Sequence, residues 1–226
     1  MDYNILSTSA LFHGADAGEI KEMLSCMGAD QRQYDKGEII YHAGDTAASL
    51  GVVLSGSVLI ENDDLWGNTT VLDSVGPGQI FAETYACTPG ERLMVNVLAA
   101  EPSEVLFLRM DRILHACPQS CGYHIKLIRN LLAISAQKNL HLSRKIFHTS
   151  AKSIRGRLLS YLSYQAIKSG SQSFVIPFNR QQLADYLNVD RSALSNELGK
   201  MQRDGLIRVS KSRFELLGKD AEGKRS

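Results

Sequence analysis

The chain has 226 residues, enough for one large domain or two smaller ones. Hydrophobic residues make up 44% and charged residues 22%, the proportions of an ordinary soluble globular protein. No run approaches 18 consecutive apolar residues, which excludes a membrane span, and we expect no membrane partner. The N-terminus lacks the pattern of a secretory signal and the four cysteines show no dense spacing, so we expect a reduced, cytoplasmic protein.

The net charge of +1 hides an uneven distribution along the chain. Residues 1–147 carry 11 Lys and Arg against 17 Asp and Glu, whereas residues 148–226 carry 14 against 7. A basic C-terminal third attached to an acidic body indicates a polyanionic partner for that third alone.

A short helix and a series of β segments account for the N-terminal half. Apolar residues recur at helical spacing over Ala17–Met27 and predict a helix there. Short segments separated by turn signals follow, namely Glu38–His42, Leu50–Leu54, Ser57–Glu61, Thr69–Val75, Val95–Ala100 and Glu104–Leu108. Strands that recur about every ten residues predict an antiparallel sandwich or barrel.

A run from Gln119 to Phe147 contains no proline and one glycine in its first turn, which predicts a long helix. Its a/d heptad seam consists of Ile125, Ile128, Leu132, Ser135, Asn139, Leu142 and Ile146. A second stripe is expected to face the β region: Leu127, Leu131 and Ile134. The seam then remains for a partner helix and predicts a homodimer, in which the amide of Asn139 selects the register. The alternative is a long intramolecular helix with an accidental heptad.

The C-terminal third opens with a second predicted helix, Ser150–Lys168, and a short β segment, Phe174–Pro177. The stretch NRQQLADYLNVDRSALSNELGKMQR follows from Asn179 to Arg203. Asn179 is a natural N-cap, Asn188 tolerates a left-handed turn, and Asp190 caps another helix. The predicted inner faces are Leu183, Ala184, Leu187, Leu194, Leu198 and Met201. This pattern is typical of a helix-turn-helix, and its alternative is a helical hairpin with incidental polar residues.

The outer side of the second of these helices predicts contact with DNA. Its exposed residues are Arg191, Ser192, Ser195, Asn196 and Gly199. Arg can bind guanine O6 and N7, and Asn can pair with adenine N6 and N7 in a major groove. A two-stranded wing with basic tips at Arg208, Lys211 and Arg213 follows. We therefore expect a β-rich domain over residues 1–118, a dimerisation helix over 119–148 and a DNA-binding winged helix-turn-helix over 149–226.

From about Tyr34 to Leu217 the chain resembles the bacterial family of the cyclic AMP receptor protein and the fumarate-nitrate reduction regulator (Crp/Fnr). The resemblance rests on YDKGEIIYHAGDTAASLGVVLSGSVLI, VGPGQIFAE, the long helix and NRQQLADYLNVDRSALS, in this order and spacing. It implies an α+β fold with an N-terminal antiparallel β-roll (a double-stranded jelly roll), a dimerisation helix and a winged helix-turn-helix. It also implies a homodimeric transcription regulator that binds a palindromic operator, works with RNA polymerase and responds to an effector in the roll.

The effector residues of the family carry over only in part. In the members that bind cyclic nucleotides, a Gly-Glu pair binds the ribose and an Arg-Ser pair binds the cyclic phosphate. Glu83 matches, but the Gly position holds Ala82, and counting back from Ala99 places the Arg-Ser positions on Leu93 and Met94. Arg92 lies one residue away and would point to the opposite side of a strand. A buried phosphate without a guanidinium partner is costly, so we expect a hydrophobic or aromatic effector, or none, rather than cyclic AMP.

The DNA-contacting positions of the family fall on Arg191, Ser192, Ser195 and Asn196, and Arg180 and Gln181 match positions that contact phosphates or base edges. Many members carry Arg or Glu where this chain has Ser192 and Asn196, so the operator sequence does not carry over.

A cysteine and histidine group at the entrance to the long helix leaves a sensing role open. The oxygen-sensing relatives hold an iron–sulfur cluster through an N-terminal cysteine cluster, but this N-terminus has Cys26 alone. Cys117, Cys121 and His124 could hold a metal or haem or form a redox pair, although their spacing is not a sharp zinc pattern. The simpler interpretation is two small buried thiols and a surface histidine.

An enzyme and a constitutive DNA-binding protein are the alternatives to an effector-responsive regulator. An enzyme on a β-roll would need clustered His and carboxylate ligands, and the β region holds His42 alone; no P-loop, Rossmann or Ser-His-Asp pattern is present either. We therefore expect no enzyme activity. A constitutive DNA-binding protein without an effector remains an alternative.

Overall fold

The computed structural model describes residues 3–64, 66–67, 69–114 and 122–217. The chain divides into two compact units, Met1–Gln137 and Lys138–Ser226. Across the described ranges, no helix has both the length and the apolar character needed to cross a membrane.

The first unit contains two four-stranded antiparallel sheets that form the predicted roll. The strands are β1 (Asp30–Tyr34), β2 (Ile39–Tyr41), β3 (Ser49–Ser55), β4 (Val58–Asp63), β5 (Thr69–Val75), β6 (Ile80–Phe81), β7 (Asn96–Ala99) and β8 (Ser103–Arg109). One sheet has the strand order β1-β8-β3-β6 and the other β2-β7-β4-β5.

The inner strands of the first sheet, β3 and β8, are buried on both faces, which explains the almost continuous apolar sequence of β3. Side chains such as Val53, Val105 and Phe107 join residues of the second sheet in one hydrophobic cluster. The opposite face, including Leu50 and Leu106, packs against helices in another cluster. The roll is therefore a packed core with helices on one side.

Helices precede and follow the strands of the roll in the sequence, and one short helix lies between β6 and β7. They are α1 (Tyr3–Thr8), a 3-10 turn (Ala10–Phe12), α2 (Ala17–Met27), α3 (Glu83–Ala86) and α4 (Met110–Leu114). The prediction for α2 is confirmed, and its ends are well capped: Asp16 and Glu19 form a capping box, and Gly28 ends the helix in the left-handed conformation.

The long helix α5 is described from Gly122 to Thr149. Leu127 and Leu131 are buried in the first unit's core and Ile134 packs against it, as predicted for the inner stripe. The large apolar residues of the a/d seam are exposed, with 65% of Ile125, 69% of Leu132 and 68% of Ile146 accessible to solvent. Ser135 and Asn139 are exposed as well.

The second unit combines the C-terminal part of α5 with a winged helix-turn-helix. Its further elements are α6 (Ile154–Ser169), β9 (Ser173–Val175), α7 (Arg180–Leu187), α8 (Arg191–Arg203), β10 (Ile207–Ser210) and β11 (Arg213–Leu216). The strands form an antiparallel sheet in the order β10-β11-β9. Leu158, Leu162, Leu183, Leu198 and Phe214 belong to its core.

The fold class is confirmed, and three local predictions need correction. The strand β1 is not among the predicted strands because its sequence is polar: it lies at the edge of its sheet, pairs with β8, and its first four residues face solvent. The helix α6 begins at Ile154 rather than Ser150, since Ser153 is its N-cap and accepts a hydrogen bond from the Gly156 amide. The strand β9 ends at Val175, before Pro177, which has no N–H group to donate.

Candidate functional site

The helix-turn-helix has the local geometry that its sequence predicts. Asn179 and Gln182 form a reciprocal capping box at the start of α7. Asn188 ends this helix with φ at 56°, in the left-handed region. Two residues later, the carboxylate of Asp190 accepts a hydrogen bond from the Ala193 amide and caps α8. Hydrogen bonds from Ser192 and from backbone amides lower the pKa of Asp190, which keeps this cap ionised.

The helix α8 has a buried side and an exposed side. Its inner residues Leu194, Leu198 and Met201 are buried, as predicted. Arg191, Ser192, Ser195 and Asn196 are all exposed. Within the described part of the chain, the side chains of Arg191, Ser195 and Asn196 make no hydrogen bond, so their polar groups are available to a ligand.

The other three predicted DNA-contacting side chains already have partners. The Ser192 hydroxyl donates to the Asp190 carboxylate at 2.5 Å. The Gln181 amide donates to the Asp185 carboxylate at 2.8 Å. The Arg180 guanidinium lies 5.4 Å from the centre of the Phe214 ring, and burial lowers its pKa. Each of these groups would have to exchange or share a partner to contact DNA.

The wing adds basic groups beside α7. Lys211 stands at the turn between β10 and β11 with φ at 54°, and it is exposed, as is Arg213. Arg208 differs from these two, because its guanidinium lies 3.5 Å from the Glu215 carboxylate on the paired strand. The Val209 amide donates to the Gln202 side chain and ties the wing to α8.

An open groove of about 450 Å³ lies between the end of β9, the start of α7 and the wing tip. Its lining includes Asn179, Arg180, Lys211 and Ser212. Two cations beside the positive end of a helix form a site suited to a phosphate group.

Two arginines near the start of α6 were not identified from the sequence. Arg155 donates to Glu197 at 2.6 Å and contacts Asp204 at 2.7 Å, so it offsets acidic groups on α8 and at its end. Arg157 donates to three backbone carbonyl oxygens. Both lie in the short segment IRGR. Because the whole region is basic, the sequence does not indicate which of its arginines make contacts within the protein.

The proposed effector turn of the roll lies between β6 and α3. Glu83 is 4% exposed at the first position of α3. Ala82, which precedes it, has φ at 57°, a conformation that favours glycine. Alanine therefore occupies a strained position where the resemblance expects glycine.

Leu93 and Met94 occupy the two positions where the members that bind cyclic nucleotides have Arg and Ser, and their surroundings differ. Leu93 is buried in the cluster between the sheets. Met94 is 75% exposed, and its amide donates to the Tyr85 hydroxyl at 3.3 Å. Arg92 is exposed, as expected for the opposite side, and donates to the Gly44 carbonyl at 2.8 Å.

The suggested cysteine and histidine site is described only at His124. This residue is buried, and its Nε2 atom lies 3.1 Å from the Arg112 carbonyl oxygen, so the interpretation as a surface histidine is wrong. Cys117 and Cys121 lie outside the described residues.

Two family models match the chain. The model of the cyclic nucleotide-binding domain matches residues 31–120, and the model of the Crp-like helix-turn-helix domain matches residues 156–221. The cyclic AMP receptor protein of Thermus thermophilus is 26% identical over 209 residues, which cover 92% of each chain. The CRP-like protein Clp of Xanthomonas campestris is 27% identical over 217 residues and 90% of each chain.

Solved structures show the same architecture. The Thermus thermophilus catabolite activator protein matches with a TM-score of 0.52 and 25% identity, over 92% of this chain and 93% of that chain. The c-di-GMP responsive regulator CLP of Xanthomonas campestris has a TM-score of 0.51 and 22% identity, over 90% and 100%, and supports the fold alone. These relatives are transcription regulators and not enzymes. With its β-roll, long helix and winged helix-turn-helix, the chain belongs to the Crp/Fnr family of DNA-binding transcription regulators.

Proposed function

We propose that the chain acts as a homodimer, reads a palindromic operator through α8 and responds to a small molecule in the β-roll. Residues 1–118 would sense the effector, residues 119–148 would join two subunits, and residues 149–226 would bind DNA. The observation that carries the proposal is the exposed side of α8, where the side chains of Arg191, Ser195 and Asn196 have no hydrogen-bond partner among the described residues and lie in a basic winged domain. Arg191 and Asn196 suit guanine and adenine edges, respectively. RNA polymerase is a further partner that the family resemblance implies.

Exposed apolar residues on α5 support the homodimer. Leu132, Leu142 and Ile146 repeat at heptad spacing and are each more than half exposed in the single chain. Such a row would cost free energy in water, and a second copy of the same helix would cover it. Asn139 lies in the middle of the row, where a pair of amides can select one register.

The residues around the proposed effector site favour a ligand other than cyclic AMP. The named cyclic AMP and c-di-GMP proteins among the relatives make nucleotides the first ligands to test. In this chain, however, Leu93 is buried among apolar side chains. The exposed Arg92 guanidinium donates a hydrogen bond to the Gly44 carbonyl oxygen. A hydrophobic or aromatic effector that also hydrogen-bonds to Glu83 agrees better with these surroundings.

Selection from random duplex DNA tests the DNA-binding proposal. The full chain is incubated with a randomised library, bound duplexes are amplified, and the enriched sequences are read. We expect an inverted repeat, with half-sites about 34–36 Å apart or a multiple of this distance. Arg191→Ala should weaken the enrichment of one base in each half-site, whereas the matched variant Arg203→Ala, at the other end of α8, should keep the same motif. Recovery of random sequences by the unmodified chain would overturn the proposal.

A further inference from the structure

The linker between α5 and α6 packs closely on the first turn of α6. A Cβ atom at Gly156 would lie 2.9 Å from the Ala151 Cβ atom and 3.2 Å from the Ser153 hydroxyl oxygen. Glycine is therefore needed where the linker passes the helix. The linker conformation is fixed at this point by direct contact.

The turn of the helix-turn-helix leaves carbonyl oxygens that α7 cannot satisfy itself. The amides of Asn188 and Val189 donate back to the carbonyls of Asp185 and Ala184, the bonding pattern of a Schellman motif. The carbonyls of Leu187 and Asn188 lie beyond this pattern and need other donors.

The Arg157 guanidinium supplies those donors and also binds the linker. Its Nη1 atom donates to the Leu187 carbonyl at 3.0 Å and to the Asn188 carbonyl at 2.9 Å. Its Nε atom donates to the Ala151 carbonyl at 2.9 Å. The planar, multiple-donor guanidinium suits this arrangement, whereas the single ammonium group of Lys cannot reproduce the fork.

From these contacts we propose that Arg157 is a positioning residue for sequence-specific DNA binding. It joins the linker that follows α5 to the turn that precedes α8. Asp190, which caps α8, comes two residues after Asn188, so the start of α8 depends on the conformation that Arg157 stabilises. The inference rests on the proposed DNA-binding function and adds a residue that contacts neither bases nor phosphates.

A positioning role has a signature that separates it from a general loss of stability. Base contacts need a correctly oriented α8, whereas contacts to phosphates depend mainly on charge. The variant Arg157→Lys keeps the positive charge and loses the planar guanidinium that donates to three carbonyl oxygens. It should weaken binding to the selected operator by about tenfold or more, the discrimination expected from one bidentate base contact. Binding to a scrambled duplex of the same length should change by less than about twofold, because the charge is retained.

The experiment measures dissociation constants of the full-length protein for both duplexes at one salt concentration. Lys152→Met, in the same linker, is the matched control for a lost charge and should weaken binding to both duplexes by the same factor. Hydrogen exchange of the amides at residues 188–190 should become faster in Arg157→Lys. Gly156→Ala tests the same connection without altering Arg157, since the added methyl displaces Ala151; it should also lower the ratio of specific to non-specific affinity.

The outcomes distinguish the positioning role from the function on which it rests. If the unmodified protein prefers its operator and both variants, still folded by circular dichroism, keep the full preference, Arg157 has no positioning role. An equal loss of affinity for both duplexes would also overturn it. If the unmodified protein shows no preference for any sequence, the proposed function itself fails.

Discussion

The Nδ1 atom of His148 lies 3.0 Å from the hydroxyl oxygen of Ser160, which joins the last turn of α5 to α6 within the second unit. His148 is 1% exposed, and its ring contacts those of Tyr161, Tyr164 and Tyr186. Its Nε2 atom has no hydrogen-bond partner within the described residues. An imidazolium at this position would therefore be poorly solvated.

This contact predicts a loss of stability in mild acid. Burial, and then the positive charge of Arg144, lower the pKa of His148 below the ordinary value of 6.5. The unfolded chain thus takes up a proton at a higher pH than the folded chain does. The stabilising contribution is complete above pH 6.5 and is lost as the pH falls from 6.5 through the pKa of the folded state. Urea unfolding followed by circular dichroism should show this decrease.

The variant His148→Phe separates this histidine from the other titrating groups. It keeps an aromatic ring among the tyrosines and cannot take up a proton, so the decrease in unfolding free energy between pH 7 and pH 5 should become smaller. The control His141→Asn removes an exposed histidine on the same helix. The explanation fails if the pH dependence of His148→Phe matches that of the unmodified chain.

The seam on α5 predicts a specific effect on oligomeric state. Leu132→Asp places a charge in each of two facing positions and removes two buried leucines, which contribute about 1.5–3 kcal/mol each. The dimer dissociation constant should rise by about 100-fold or more. Leu140→Asp is the matched control, since this leucine is also more than half exposed and lies on the same helix outside the seam. Sedimentation equilibrium measures the dimer dissociation constants, and equal values for the two variants would contradict a dimer interface along the seam.

Arg191 should read one base in each half-site. Its truncation to alanine should cost about 1–3 kcal/mol for the selected operator and relax discrimination at one position. Competition binding with every single-base variant of the operator measures this effect. Unchanged discrimination at all positions would remove Arg191 from the reading surface.

The wing should contribute one phosphate contact through Lys211. The logarithm of the DNA association constant falls with the logarithm of salt concentration, and Lys211→Ala should reduce the slope by about 1. Arg208→Ala is the comparison, because Arg208 is paired with Glu215 and should change the slope less. Equal slopes for Lys211→Ala and the unmodified chain would place the wing tip away from DNA.

Cyclic AMP should leave the melting temperature unchanged up to millimolar concentration. A ligand present at 100 times its dissociation constant stabilises the folded state by about 2.7 kcal/mol, which a thermal shift assay detects easily. The expectation follows from buried Leu93 and from the outward Arg92 guanidinium. A saturable shift with cyclic AMP that disappears in Arg92→Met would show instead that this guanidinium binds the cyclic phosphate.

Features that depend on local chemistry could be predicted from the sequence. The helix α2, the capping box of α7 and the left-handed Asn188 follow from residue types at fixed spacing, and all are confirmed. The exposed seam follows from helical periodicity.

Features that depend on long-range contacts could not be predicted in this way. Strand β1 is polar and is stabilised by its pairing with β8, 69–77 residues away in the sequence. Glu197 and Asp204, the partners of Arg155, and Leu187 and Asn188, two of the partners of Arg157, lie 30–49 residues further along the chain, and basic residues in a basic region do not indicate such contacts. The buried His124 likewise contacts the Arg112 carbonyl oxygen, which belongs to a separate helix.

Dimeric recognition of an operator is tested by native mass spectrometry of the full chain with its selected duplex. We predict a complex of two chains and one duplex, formed with the inverted repeat and lost when one half-site is scrambled. In the absence of DNA, the unmodified chain should be a dimer and Leu132→Asp a monomer. A complex of one chain with one duplex, or equal binding to intact and scrambled half-sites, would contradict dimeric recognition of a palindromic operator.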